Sequence, residues 1–400
     1  MLGTLLRRSL AILLLTVIAT PAAARERVVR LTIGPFRIEA NRDREVCQAL
    51  RLAGVRGTDL VSYEVRSRAG RDYGTHHFVA YGYQGGDSRR FPTAMVDDPG
   101  CNGFGPPDFF TNRVTLAGSG GENRRGRWLV TTGGMPPGLA QRLPNPGDAP
   151  DEAIIILNSH YFNTGHRRAH GLVKVRLHLA PADPGERTVR TVTDAAASRG
   201  IFVPPGESGV VSATWQADGA RNDTTEGGRN PSGDVCLLYI TGHMHKRGTL
   251  FTIDYEEDGK PPSRLLAATD YVHPGVVYYG GGFLLRAYTP ENGHPRFHYA
   301  CTHVNGSDYE EVKMGCEAAP GIVPGISWEQ AEAVGMSSLE SHARPCGVDA
   351  VNCQSYGTGR CVEANLVFGP LSDDDMCILP AAIYDPLPGL PPEQACNPYQ

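Results

Sequence analysis

Across residues 172–179 the chain reads LVKVRLHL, with Val173, Val175, Leu177 and Leu179 alternating against Lys174, Arg176 and His178. A period of two marks a strand buried on one face, whereas a helix would space its apolar residues three or four apart. Comparable runs recur at 28–33, 77–83, 153–157, 209–215, 235–240, 249–255 and 283–288, with Gly, Pro, Asn or Asp near their ends. The 48 glycines and 31 prolines make up about a fifth of the 400 residues, yet 40% are hydrophobic. Short strands and turns follow from that mixture, rather than disorder. Helical signal is thin: Ser327, Glu329 and Gln330 ahead of Ala331, Ala333 and Val334 could start one short helix.

This length exceeds what one hydrophobic core organises, so two domains are expected. The APADPG stretch at 180–185 closes one strand set and 201–205 opens another, which places the boundary between about 181 and 200. The domains would then run 25–185 and 195–400, each an antiparallel sandwich in an all-β chain. Residues 316–361 read as an insertion, because Cys316, Cys346, Cys353 and Cys361 fall among Pro, Gly and Ser with little periodicity. Two local disulfides could hold it, in a pairing that spacing leaves open.

Arg7 and Arg8 precede an apolar run at 10–18 and then Ala22, Ala23 and Ala24, the layout of a secretory signal peptide over 1–24 cut after Ala24. No later stretch nears the roughly 20 apolar residues that a membrane span needs. All ten cysteines lie downstream, which fits an oxidising exported compartment, secreted or periplasmic, and up to five disulfides. A net charge of -5 without a basic stripe gives nothing to nucleic acid. No GxSxG elbow, P-loop or dinucleotide fingerprint is present.

The thirteen histidines carry the chemistry. His243 and His245 follow the 235–240 run, and in a strand they would project from one face while Met244 points away. The pair suits one metal ion, and it equally fits two partly exposed strand histidines. His76 and His77 could share an ion only if the backbone bulges there, which Gly74 would ease. His160 lies where a strand meets a loop, as a third ligand or as a solvated turn histidine. Spacing alone does not single out a ligand among the seven methionines.

In order along the chain, HHF at 76–78, NSHYFN at 158–163, GHMHKRG at 242–248, YACTH at 299–303 and GPLSDDDMCI at 369–378 resemble the copper type II, ascorbate-dependent monooxygenases. The acidic run followed by Met376 and Cys377 is the most specific of the five. The resemblance implies two antiparallel, jelly-roll-like β-sandwich domains, disulfide-stabilised and facing across a cleft that keeps two copper ions apart. His76, His77 and His160 would hold the electron-transfer copper, and His243, His245 and Met376 the copper that binds O2. It also implies a Cys301–Cys377 disulfide. Cys47 resembles a family cysteine, for which we take Cys101 as partner. The implied activity is hydroxylation of a substrate C–H bond with O2 and two one-electron donations from ascorbate or another external reductant.

The donor chemistry agrees: imidazole binds both copper oxidation states, and a soft thioether favours Cu(I). Zinc hydrolases draw on His, Cys and carboxylates instead. Were Asp375 rather than Met376 to join His243 and His245, the set would suit non-haem iron. A non-catalytic copper-binding protein of the same fold is the other reading.

In the peptide-amidating members an arginine and a tyrosine hold the substrate carboxylate. Thr241 and Pro380 stand at those positions, which argues for a small organic substrate other than a glycine-extended peptide. His273, His294, His298, His303 and His342 match nothing in the family and read as surface or ordinarily hydrogen-bonded. Asn222 and Asn305 head glycosylation sequons, and the Arg-rich 124–127 stretch reads as a solvated turn.

Overall fold

The computed structural model describes residues 26–39, 42–68, 74–98, 101, 103–120, 127–163, 167–203, 207–222, 224–225, 227–245, 247–271, 274–305, 366–367 and 375–397. The expected signal peptide, the 327–334 helix and the 316–361 insertion lie outside them.

Among these residues the chain is nearly all β. Every expected run falls on a strand, though the last one is displaced: the strand there is Val276–Leu285, not 283–288. Its Gly280, Gly281 and Gly282 hid the first half from an apolar-alternation reading.

In the N-terminal half one sheet orders Arg27–Ile38, Ala169–Pro181, Thr58–Arg68, Leu139–Arg142 and Arg187–Thr188, with Leu129–Gly134 also on Thr58–Arg68. A second orders Val96–Asp97, Arg42–Ala53, Glu152–Asn163, Gly74–Tyr83 and Arg113–Gly120. The first long strands pass alternately from one sheet to the other, as in a jelly roll. Alternate side chains of both sheets fill the space between, including Val173, Val175 and Leu177 from one and Phe78, Ala80, Ile155 and Leu157 from the other. The second sheet is covered on its outer face too, where Ile154 and Ile156 pack with Tyr83, Phe91, Phe104 and Phe109. The unbroken AIIIL run at 153–157 is therefore apolar because both of its faces are buried.

The C-terminal half repeats the plan. Arg190–Asp194, Cys377–Tyr384, Val235–Thr241 and Val276–Leu285 form one sheet, with His243–Met244 paired to Cys377–Tyr384. Glu207–Gln216, Arg296–Asn305, Gly248–Glu256 and Ser263–Ala268 form the other. Their shared core holds Trp215, Leu237, Ile240, Phe251, Phe297 and Leu379, and Trp215 stacks on Phe297 at 6.0 Å between ring centroids. A smaller cluster of Leu139, Val189, Leu238 and Tyr384 ties the two halves together.

Disulfides join Cys47 to Cys101, Cys236 to Cys396 and Cys301 to Cys377. No helix of the described residues is long and apolar enough to cross a membrane.

Beside the Gly248–Glu256 strand, Glu257 accepts hydrogen bonds from Lys260, Tyr255 and Arg286. Lys260 first, then Tyr255, hold its carboxyl down at about 2. A depressed carboxyl adds stability above its ordinary range and loses it as pH falls from about 4.5 towards 2. Lys260 stands 64% exposed, so solvent screening reduces the gain to about 1–2 kcal/mol. Glu257→Gln is expected to flatten the fall in urea-unfolding free energy between pH 5 and 2.5 by that amount. Equal losses in the variant and the parent would refute the assignment.

Candidate metal centre

The Gly74–Tyr83 and Glu152–Asn163 strands are antiparallel neighbours, with Thr75 opposite Tyr161 and then His77 opposite His160. One residue too many lies between these pairs on the first strand, and that residue is His76. The bulge is the backbone departure that would let adjacent histidines serve one site. The side chain of His76 itself lies outside the described residues.

His160 is 1% exposed and sits within its strand, not at a solvated turn. It shares the outer face of the sheet with Ile154 and Ile156, and Glu45 stands opposite it on the Arg42–Ala53 strand. Glu45, His160 and His77 thus form one row across three strands. Their donor atoms all lie within 4.8 Å of one another. Burial pushes the Glu45 carboxyl up, but the His160 and His77 rings and the Asn158 amide outweigh it and hold the carboxyl below its ordinary value.

In the C-terminal half, His243 pairs with Ile378 and Met244 with Cys377. Continued by one residue beyond the last pair, this register would set Met376 opposite His245, and residues directly opposite in an antiparallel pair share a face. Met244 points the other way into the core, fully buried, as alternation requires. Cys377 is bonded to Cys301 of the neighbouring sheet, which fixes the strand immediately after Met376.

Asp375 and His303 organise this corner. The backbone amides of His245 and Met376 donate to Asp375 Oδ1 at 2.9 and 2.7 Å, and that of Arg247 donates to Oδ2 at 3.1 Å. His303 Nε2 lies 3.2 Å from the same carboxylate, and both side chains are fully buried. Burial opposes the charge on each, yet the pairing holds Asp375 below and His303 above their ordinary ranges. With its oxygens accepting from three backbone amides and facing His303, Asp375 braces this corner. Of the two readings left open for His303, surface or hydrogen-bonded, the structure shows the second: in the strand Arg296–Asn305 it shares the buried face with Phe297, Tyr299 and Cys301.

The two donor sets meet. The His160 and His77 ring centroids are 5.2 Å apart, those of His77 and His243 are 6.1 Å, and those of His243 and His245 are 5.2 Å, each pair edge to face. The resemblance implied a cleft holding the sets apart; at the imidazoles the halves are in contact, because both sets sit on faces that close on one another. Burial, then His245 and His77, hold the His243 ring well below its ordinary value, which favours the neutral imidazole. An imidazole bound at 2.0–2.1 Å has its ring centre about 3.2 Å from the metal, so two such rings at a tetrahedral angle stand about 5.2 Å apart. The His160–His77 and His243–His245 pairs match that spacing. The His77–His243 pair is wider than that spacing.

At the positions where a substrate carboxylate would be held, the Thr241 hydroxyl donates to the Gly275 carbonyl and Pro380 lies opposite Thr193 in the sheet. Neither offers a cation. The Asn305 sequon is closed, since Asn305 is 2% exposed and its amide donates to the Val203 carbonyl.

No family model and no curated protein matches the chain. Among solved structures it is similar to PNGF-II, at 8% identity and a TM-score of 0.32, over 90% of this chain and 65% of that one. It is also similar to PBCV-1 VP54 fitted into the reconstruction of the virophage Sputnik, at 7% identity and a TM-score of 0.28 over 96% of each chain. At these scores the likeness bears on neither activity nor ligand.

Proposed function

We propose that the chain is an exported copper monooxygenase that hydroxylates a C–H bond of a small organic substrate, using O2 and two one-electron donations from an external reductant. What carries the reading is the pairing of His243 with Ile378 and of Met244 with Cys377: that register, continued one residue further, would bring the Met376 thioether to the face that carries His243 and His245. That donor set suits an ion cycling between Cu(I) and Cu(II). The ordered motifs of the sequence support the same assignment.

His243, His245 and Met376 would hold one copper, and His76, His77 and His160 the other. Bound there, copper supplies one-electron redox chemistry and activation of O2. The chain's own residues do the positioning. Asp375 ties His245, Arg247 and Met376 together through their backbone amides, while the Cys301–Cys377 bond prevents the thioether from drifting. Thr241 and Pro380 leave a peptide carboxylate without an anchor, which directs the reading towards substrates lacking one. Export is proposed from the 1–24 segment, and the three disulfides suit an oxidising compartment.

Metal analysis with oxygen uptake tests this. About two copper ions per chain and reductant-dependent oxygen consumption are expected. Bound copper without oxygen uptake would instead identify a copper-binding protein of the same fold, and tightly held zinc would end the copper reading.

A further inference from the structure

We propose that Glu45 is itself a metal ligand, so that His77, His160 and Glu45 form a mixed nitrogen and oxygen site for a divalent cation. This rests on the reading that the His77–His160 pair holds metal, and it changes what that metal experiences.

Glu45 stands directly opposite His160, and His160 directly opposite His77. Neighbours of this kind project from one face with their Cβ atoms about 5 Å apart, so the register alone brings the three side chains together. The Glu45 side chain is 4% exposed, and a carboxylate buried so deeply is costly unless it is paired. Its Oε1 accepts from Asn158 Nδ2 at 2.7 Å, in a full hydrogen bond. His77 Nε2 stands 3.6 Å from the same oxygen, beyond hydrogen-bonding range. Two donors bound to one ion at 2.0–2.1 Å and at a tetrahedral angle are about 3.4 Å apart. Glu45 and His77 thus stand at an ion-pair distance that is also close to the separation of two ligands on one ion. All three donor atoms lie within 4.8 Å of one another, which leaves His160 able to reach the same centre.

The carboxylate brings a hard oxygen and a negative charge to a site otherwise built of neutral imidazoles. Both favour the more highly charged oxidation state. Glu45 would thus stabilise Cu(II) relative to Cu(I) and lower the reduction potential of the copper held with His77 and His160.

The test uses the full chain, with His243 and His245 both changed to Ala so that only the His77–His160 set can bind, titrated with Cu(II) alone. Glu45→Gln is expected to weaken Cu(II) binding at least tenfold and leave Cu(I) binding within about threefold, so that the reduction potential rises. The Cu(II) resonance spectrum should change from a mixed nitrogen and oxygen signature to a more nitrogen-rich one. Glu45→Asp, which keeps the carboxylate, should fall between. If Glu45→Gln binds Cu(II) with unchanged affinity and spectrum, Glu45 is not a ligand, although the histidine pair still holds metal. If the background chain binds no Cu(II), the reading of the pair as a metal site fails first, and this proposal with it. Should the Gln variant not fold, the spectrum of the unsubstituted site decides: an all-nitrogen signature overturns the proposal.

Discussion

Asp375→Ala is expected to destabilise the protein by about 4 kcal/mol, because it strips a buried ion pair of one partner. It also leaves the amides of His245, Arg247 and Met376 without the acceptor they share in the folded chain. His303 would remain fully buried, with its Nε2 left only the long 3.5 Å contact to the Met376 carbonyl. Its Nδ1 has no hydrogen-bond partner to fall back on. Asp375→Asn keeps the shape but turns an NH2 group towards one of those donors, so about 2 kcal/mol is expected there. The measurement is chemical unfolding of the metal-free chain, followed by a copper titration. The titration should show the His243–His245 set weakened by 10- to 100-fold, as when groups that orient a ligand are lost. If Asp375→Ala unfolds within about 1 kcal/mol of the parent, the brace is not what holds this corner.

That brace shows where the sequence stops being readable. Period-two alternation located several strands but passed over the one that holds His303: in RFHYACTHVN the residues sharing parity with Phe297, Tyr299 and Cys301 include His303 and Asn305, both buried. A histidine on a core face needs a polar partner. The alternation could have pointed to His303 from its own strand, but which acid meets it depends on a contact 72 residues away, at Asp375.

Glu45 carried no such signal. Glu45, Val46 and Cys47 are buried in succession, because the sheet is covered on both faces, so alternation on that strand says nothing about which residue faces the site. Its role follows only from a register that sets it opposite His160. The bulge at His76 was different, since a pair of adjacent histidines could share an ion only through such a departure. The contact between the two donor sets was not legible at all. Strand patterns describe faces within one sandwich and are silent on how two sandwiches close on one another.

Met376→Ala is expected to lower product formation by at least about a hundredfold, since removing a ligand should exceed the 10- to 100-fold cost of losing a group that merely orients one. The fold should survive. Met376 is only partly buried, and the strand after it is fixed by the Cys301–Cys377 bond and by the pairing of Cys377 with Met244. The copper held by the His77–His160 set should stay, so total copper falls towards half of the parent value while oxygen uptake loses its coupling to product. Met376→His separates a ligand role from a packing one. An imidazole there restores metal binding but replaces the soft thioether with a harder donor, so Cu(II) is retained, Cu(I) is held less well, and turnover does not recover. A packing role predicts the reverse for a larger apolar residue: Met376→Leu would then keep full activity. Unchanged turnover in Met376→Ala or Met376→Leu would remove the thioether from the site, and with it the donor set on which the copper reading rests.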